Sequence, residues 1–455
     1  MTRKVRLSVL SVIFAVILVL PIFSEETENP FNMGMSLVIG TQSFAENGET
    51  VTYQKLSFNP DISFGKIGLG LDVTLHYNFT GGENANEFAI RTADWVPDNP
   101  VTFSKILGLY LPLIRYVRYG VKGDSIYAKL GSIDDFTLGN GFIMGNYSNT
   151  LLLPEKKIFG LSFDLDGSLF NFPLVGFESV VGNLAMFDVI GSRLYVRPFV
   201  FTDIPIAKNL QVGATFAADT NVYAQSPDLD PDTSVQEGVI AFGTDFRLPL
   251  LSNPAVSLAT FGDVASLAGK SVGGMLGFGG KLISFLTYGA QLRILGKNFI
   301  PDYFDSSYDL FRTVKYELVN SGNEIPAYVG WFASIGTSFL DDSIVFNIGI
   351  DGPFGEVVAG DTDNMMNYPH LTGIFEVKNN ILQGFSFDAS YDKKLIKTWS
   401  DLVSPEDAVI KAQLNYETGP AMISFVYRIK YVPDAAADSN PWEITSGLES
   451  SIQLF

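Results

Sequence analysis

The sequence predicts an all-β protein, a transmembrane antiparallel up-and-down β-barrel of about 18–20 strands, within a range of roughly 14–20. Three observations lead to this fold class. Apolar and polar residues alternate strictly in many segments. The chain is 47% hydrophobic and only 17% charged, yet no apolar stretch after Phe23 approaches the roughly 20 residues of a membrane-spanning helix. Short and long links alternate between the predicted strands.

The clearest strand is the segment KIGLGLDVTLHYNF at residues 66–79. From Ile67 to Phe79 every second residue is apolar, and the residues between them are glycine or polar. This segment is longer than the roughly 9–11 residues of a tilted bilayer crossing. The same pattern predicts strands at 34–45, 51–64, 157–166 and 174–182, a hairpin at 115–121 and 125–131, and about thirteen strands after residue 193.

The links add an orientation to this pattern. Short links are predicted at 204–208, 250–254, 283–285, 340–342, 379–382 and 418–420, and long ones at 220–236, 263–270, 298–325, 353–369, 393–407 and 432–442. Outer-membrane barrels have short periplasmic turns and long extracellular loops, whereas a soluble sandwich or propeller does not require that alternation. An even strand number then places both chain ends on the periplasmic side.

Residues 1–24 are predicted to be a secretory signal peptide. Three basic residues precede an apolar run that ends at Phe23, and small Ser24 comes before acidic Glu25. An uncleaved membrane anchor is the alternative. The chain contains no cysteine, which excludes a lipoprotein-type attachment. Residues 25–455 are then expected to form a single β-barrel domain.

Residues 80–154 interrupt the regular strands. Within them, 101–113 has the pattern of a short amphipathic helix or of a loop that folds into the lumen. Irregular backbone at membrane depth is tolerated only where it is buried in protein or lines water. The region is therefore either an ordinary long external loop or an inward-folded constriction loop or partial plug.

Composition argues against several other functions. The net charge of −19 disfavours nucleic acid as a partner, because such binding depends on Lys and Arg at phosphates. The chain has no cysteine, and neither of its two histidines pairs in sequence with a Ser or Asp nucleophile pattern such as G-x-S-x-G, so it offers no recognisable catalytic or metal-binding arrangement. We therefore expect a protein that is not an enzyme and has no cofactor.

The polar faces of the strands supply the candidate functional residues. A lipid-facing Arg or Lys near the bilayer midplane costs about 2–4 kcal/mol, so the charged residues of these faces belong inside the barrel. They are predicted to line a water-filled lumen of mixed charge, or else to pair across strands and fill the interior. The lumen-lining candidates are Asp72, His76, Arg193, Arg197, Asp245, Arg247, Arg293, Asp388, Asp392 and Arg428.

The chain resembles a bacterial outer-membrane β-barrel protein of the porin-like class, without features of one particular family. The resemblance is carried by the signal-like N-terminus, the alternating strands, the alternating links and the final segment EITSGLESSIQLF, which ends in Phe455. A terminal aromatic residue resembles the insertion signal that is read by the barrel-assembly machinery, although the apolar Ile452 and Leu454 are out of phase with Phe455. The resemblance implies a place in the bacterial outer membrane, with lipid and that machinery as partners.

Three functions remain open at this point. The first is a channel for passive or facilitated diffusion of small solutes. The second is a surface adhesin that binds host or matrix ligands through long acidic and aromatic loops, among which 298–325 is the best candidate. The third is a transporter of hydrophobic ligands, with a wall opening near the glycine-rich segment 273–280.

Overall fold

The computed structural model describes residues 31–46, 49–80, 87–153, 156–224, 237–320, 325–340, 343–431 and 442–453. The predicted signal peptide and Phe455 lie outside these ranges. The strand segments of the described residues are β1 Phe31–Glu46, β2 Glu49–Phe64, β3 Ile67–Leu71, β4 Val73–Thr80, β5 Glu87–Ile90, β6 Ile114–Tyr119, β7 Ile126–Gly131, β8 Gly160–Asp166, β9 Val175–Val181, β10 Val189–Val196, β11 Gln211–Asp219, β12 Val239–Ser252, β13 Ser257–Leu267, β14 Ser271–Leu282, β15 Leu286–Leu295, β16 Tyr328–Phe339, β17 Ile344–Pro353, β18 His370–Leu382, β19 Phe385–Lys393, β20 Ala408–Thr418, β21 Ala421–Tyr431 and β22 Trp442–Gln453.

These segments build a closed antiparallel barrel of 20 strands. The wall closes where β22 pairs with β1, with Gln453 opposite Ser36 and Glu449 opposite Gly40. The 22 segments count as 20 strands because two pairs of segments each occupy one position in the wall. β3 and β4 together form one strand, which pairs with β2 along one edge. Along the other edge of this strand, β6 pairs with β3 and β5 pairs with β4.

The predicted hairpin at 115–131 therefore belongs to the wall, as β6 and β7. β5 is a strand that the sequence pattern missed, because only four residues of it pair with β4. Between β5 and β6, residues 91–113 leave the wall and form helix α1, Phe103–Tyr110. The short helix expected within 101–113 is thus present.

Side chains alternate between the two sides of the wall as the pattern predicts. On β10, Arg193 is buried with 2% of its surface exposed, whereas the next residue, Leu194, is 56% exposed. On β12, Ile240 and Phe242 are exposed and Asp245 is buried. A closed wall with an apolar outer face satisfies every ladder hydrogen bond without water, as a barrel in lipid must. The predicted fold class, an antiparallel up-and-down β-barrel, is confirmed.

None of the helices in the described part of the chain is long and apolar enough to cross a membrane.

The links largely follow the predicted alternation, with two corrections. The short link predicted at 204–208 is longer and spans 197–210, because β10 ends at Val196 and β11 begins at Gln211. The long link predicted at 263–270 is wrong, because β13 continues to Leu267 and β14 begins at Ser271. Ala268 and Gly269 both have positive φ, of 54° and 65°, as in the tight type I′ turn of a hairpin. The longest described links, 132–159 and 296–327, lie at one end of the barrel, which we call the outer end.

A hydrophobic core lies inside the outer half of the barrel. It joins the two long links to the inner face of the wall: Phe136, Met144 and Tyr147 of link 132–159 pack with Phe304 and Tyr308 of link 296–327. Each of these side chains is at most 1% exposed. Link 296–327 contains helix α2, Tyr308–Asn320. The outer half of the interior is thus filled mainly from the side of β9–β15.

Candidate functional site

The interior of the barrel collects most of the candidate residues, beginning with Arg193 and Asp245. The Arg193 guanidinium makes a bidentate ion pair with Asp245, with Nε–Oδ2 and Nη2–Oδ1 distances of 2.8 and 2.6 Å. Its other contacts are Glu178 Oε2 at 3.2 Å and Gln211 Oε1 at 3.0 Å. Because every face of this guanidinium is occupied, the cluster fills the interior rather than presenting a free charge.

Link 132–159 lies directly over this ion pair. A Cβ atom on Gly139 would come within 2.9 Å of Arg193 Nε, and the φ of Gly139 is +59°, which favours glycine. The next residue, Asn140, donates from Nδ2 to Asp263 Oδ2 at 2.9 Å and to the carbonyl oxygen of Phe246 at 3.1 Å. These contacts fix the tip of the link to the inner face of β12 and β13.

Asp72 and His76 hold other inward-folded segments. Asp72 Oδ2 lies 2.6 Å from Lys157 Nζ, which belongs to link 132–159. His76 Nδ1 lies 2.7 Å from Asp94 Oδ2, in the segment between β5 and α1. Both wall residues therefore hold residues of the irregular segments against the wall.

A row of charges crosses β15, β17, β18 and β19 on the opposite side. Arg293 Nη1 lies 3.5 Å from Asp351 Oδ2, Asp351 Oδ1 lies 3.4 Å from His370 Nδ1, and His370 Nε2 lies 3.0 Å from Asp392 Oδ1. These side chains are 11–34% exposed, so they are not sealed beneath the core as Arg193 is. Of this row, sequence reasoning named Arg293 and Asp392 but missed Asp351 and His370. His370 opens its strand and its partners lie on strands whose register the sequence does not show.

Two pairs of like charges lie beside this row. Lys411 and Arg428 are opposite each other on β20 and β21, and Glu376 and Asp388 are opposite each other on β18 and β19. Arg428 Nη1 donates to the carbonyl oxygen of Leu153, 2.7 Å away in link 132–159. Within the described residues, no oppositely charged atom lies within 4.0 Å of Lys411 or Asp388.

The half of the barrel that lies opposite the outer end, away from the long links, has an interior that is open to water. Arg247, Thr287, Asn347 and Asp388 all lie on the inner face, and their side chains are exposed. Arg247 has only an aromatic neighbour, with its guanidinium carbon 6.0 Å from the Phe261 ring centre. Arg197 lies near the same end, where its Nη2 is 2.6 Å from Asp166 Oδ2. Water therefore reaches inward-facing charges in this part of the barrel.

Two expectations about other candidate regions change. Tyr303, Phe304 and Tyr308 of the predicted adhesive loop are at most 1% exposed, so they are core residues rather than a binding surface. Near 273–280 the wall is closed, because β14 pairs with β13 and β15 along both edges. Gly273 there accommodates the Phe299 ring, since a Cβ atom on it would lie 2.6 Å from that ring.

Comparison with known proteins gives distant structural likeness only. No protein-family model and no curated protein matches the chain. The chain is similar to Pseudomonas aeruginosa OccK2 (OpdF) in complex with glucuronate, with TM-score 0.33, 9% identity, and coverage of 93% of this chain and 98% of that one. It is also similar to a BenF-like porin from Pseudomonas fluorescens (TM-score 0.33, 10% identity, 93% and 99% coverage) and to Pseudomonas aeruginosa OccD3 (OpdP) (TM-score 0.36, 9% identity, 93% and 92% coverage). Likeness this distant assigns neither a residue role nor a solute.

Proposed function

We propose that this protein is an outer-membrane channel, rather than an enzyme, for passive or facilitated diffusion of small polar solutes through a lumen of mixed charge. The path follows the inner faces of β15–β21, past the row from Arg293 to Asp392. The observation that carries this proposal is the contrast between the two sides of the interior. Arg193 and Asp245 are sealed by ion pairs and core, whereas Asn347 and Asp388 are exposed to water inside the wall.

The unpaired charges favour conduction over mere filling of the interior. Buried charges normally have partners, because an isolated charge out of water is very costly. Lys411 and Asp388 have no such partner among the described residues, so water or a solute must solvate them. A solute that moves along this path passes both an acidic pair, Glu376 and Asp388, and a basic pair, Lys411 and Arg428.

The candidates from the sequence then divide into two groups. We assign Arg293, Asp388, Asp392 and Arg428 to the lining of the path, and Arg247 and Arg197 to its inner entrance. Arg193, Asp245, Asp72 and His76 instead hold the segments that narrow it. Removal of a residue from the first group should alter ion selectivity, and removal from the second should alter the width of the path.

Planar-bilayer recording of the refolded, purified protein tests the proposal. We expect discrete conductance steps, and a shift of the reversal potential towards cation preference in Lys411→Gln and towards anion preference in Asp388→Asn. Lys208→Gln makes the same charge change on an exposed link and should leave selectivity as it is. A well-folded barrel that stays silent would overturn the proposal.

A further inference from the structure

Helix α2 extends across the outer end of the barrel and contacts opposite sides of the wall. On one side Arg312 reaches Asp188 and Asp219, at the adjoining ends of β10 and β11. On the other side the Phe311 ring lies 4.3 Å from the ammonium of Lys394, the residue that follows β19. Any solute path along β15–β21 must therefore pass this helix.

The Arg312 guanidinium fastens the helix to the wall through two carboxylates, and a third carboxylate, Asp309, lies beside it on the helix itself. Arg312 Nη1 lies 2.9 Å from Asp188 Oδ2, Nε lies 3.2 Å from Asp219 Oδ2, and Nη2 lies 3.5 Å from Asp309 Oδ1. All four side chains are at most 2% exposed. We call these residues the α2 cluster. Removal of one partner from a buried ion pair leaves the other charge uncompensated and out of water, so the cluster is a strong but charge-dependent fastening.

The cluster has more negative than positive charge. Its two flanking tyrosines are Tyr308, whose hydroxyl donates to Asp219 Oδ2 at 2.7 Å, and Tyr147, whose hydroxyl donates to Asp309 Oδ1 at 3.5 Å. The ammonium of Lys156, in link 132–159, is the further cation that acts on Asp309. When Asp309 is neutral, the negative charges of Asp188 and Asp219 equal in number the positive charges of Arg312 and Lys156. With Asp309 ionised, the site has one uncompensated negative charge.

Among the carboxyl groups of the α2 cluster, Asp309 is the one whose ionisation would cost the most free energy. Its Oδ2 atom is buried and has no hydrogen-bond partner among the described residues. Burial raises the pKa of Asp309, the charge of Arg312 opposes this shift and the charges of Asp188 and Asp219 add to it, and the resulting pKa is about 7. A buried carboxylate oxygen without a donor is stable only while the group holds its proton.

We infer that α2 is a displaceable plug of the channel, which the α2 cluster fastens across the outer opening while Asp309 is protonated and releases when Asp309 ionises. This inference rests on the proposed channel function, whose regulation it describes. Because the docked state raises the pKa of Asp309, docking is strongest in acid and weakens as the pH rises through about 7. Between pH 6 and pH 8 the docked-to-released ratio should fall about tenfold, if released Asp309 titrates with its ordinary value.

Conductance between pH 6 and pH 8 provides the first test. The wild-type channel should open more at pH 8, and Asp309→Asn, which stays neutral, should keep its pH 6 conductance at both values. Asp135→Asn removes an exposed carboxylate from link 132–159, outside the cluster, and should retain the wild-type response. A wild-type response that persists in Asp309→Asn would overturn the inference.

A cysteine pair separates a failed plug from a failed channel. The chain has no cysteine, so Phe311→Cys with Lys394→Cys introduces the only thiols. Bridging them with a short bifunctional thiol reagent should abolish the rise in conductance at pH 8, and cleaving the bridge should restore it. Spin labels on the same pair report the distance between α2 and β19 whether or not the barrel conducts. A conducting barrel whose label distance stays constant from pH 6 to pH 8 overturns the plug alone, whereas a silent barrel with a pH-dependent distance overturns the channel alone.

Discussion

Arg193 and Asp245 meet across β11, the strand between their own, in the space above Gly213. A Cβ atom on Gly213 would lie 2.5 Å from both Arg193 Nε and Asp245 Oδ2. The absence of a side chain on β11 is therefore what allows β10 and β12 to share an ion pair. Link 132–159 packs over this pair, so Gly213 also determines how the link is seated.

Gly213→Ala should accordingly destabilise the barrel by about 1–3 kcal/mol, the usual cost of overpacking a filled interior. Urea unfolding in phospholipid vesicles, followed by tryptophan fluorescence, would measure this loss. Gly373→Ala is the matched control, because a Cβ atom there would have no neighbour nearer than 3.8 Å. Equal stability of the two variants would contradict the packing argument.

The outer face of the wall should reject charge. Leu276 on β14 points outward and is 57% exposed in the isolated chain, so in the membrane it faces lipid. Leu276→Arg should lower the free energy of unfolding in vesicles by about 2–4 kcal/mol near the midplane and by less near an interface. Asn347→Arg places the same side chain on the exposed inner face of β17 and should cost far less. A larger loss of unfolding free energy in Asn347→Arg than in Leu276→Arg would contradict the assignment of Leu276 to the lipid-facing side of the wall.

The ion pair between Asp72 and Lys157 should control the accessibility of link 132–159. Lys157→Gln removes the ammonium that lies 2.6 Å from Asp72 Oδ2, so the Asp72 carboxylate loses this ion-pair partner. We expect faster proteolytic cleavage within 150–157 in the folded barrel. Lys129→Gln removes a comparable contact, 3.3 Å from the 67% exposed Asp134, and should change little because such surface pairs contribute about 0–1 kcal/mol.

Sequence pattern predicted the faces of the wall but not the partners within it. Strict alternation is a property of each strand alone, so it predicts that Arg193 and Asp245 share a side with Asp72 and His76. Their pairing depends on cross-strand register over 52 residues of sequence, which alternation does not encode. The inward folding of link 296–327 was missed for a related reason: its aromatic residues and its charged residues share one short segment. An aromatic loop in contact with solvent and an aromatic plug in contact with a core have the same composition.

Substitution of each of the two histidines by glutamine should affect different properties of the protein, ion selectivity for His370 and local amide hydrogen exchange for His76. His370 lies between Asp351 and Asp392 on the proposed path, so His370→Gln removes a proton-binding group from between two carboxylates. A charge about 4 Å from a permeating ion is worth about 1 kcal/mol in water, so below the pH at which His370 loses its proton the substitution should raise cation permeability and lower anion permeability by up to roughly fivefold each. The cation-to-anion permeability ratio should therefore rise. His76→Gln, by contrast, acts on Asp94 of the segment between β5 and α1. It should raise amide hydrogen exchange in 91–113 and leave the permeability ratio unchanged. Reversal potentials in a salt gradient measure the first effect and mass-spectrometric hydrogen exchange measures the second. A selectivity change in His76→Gln that equals the change in His370→Gln would show that the path does not run along β17–β19.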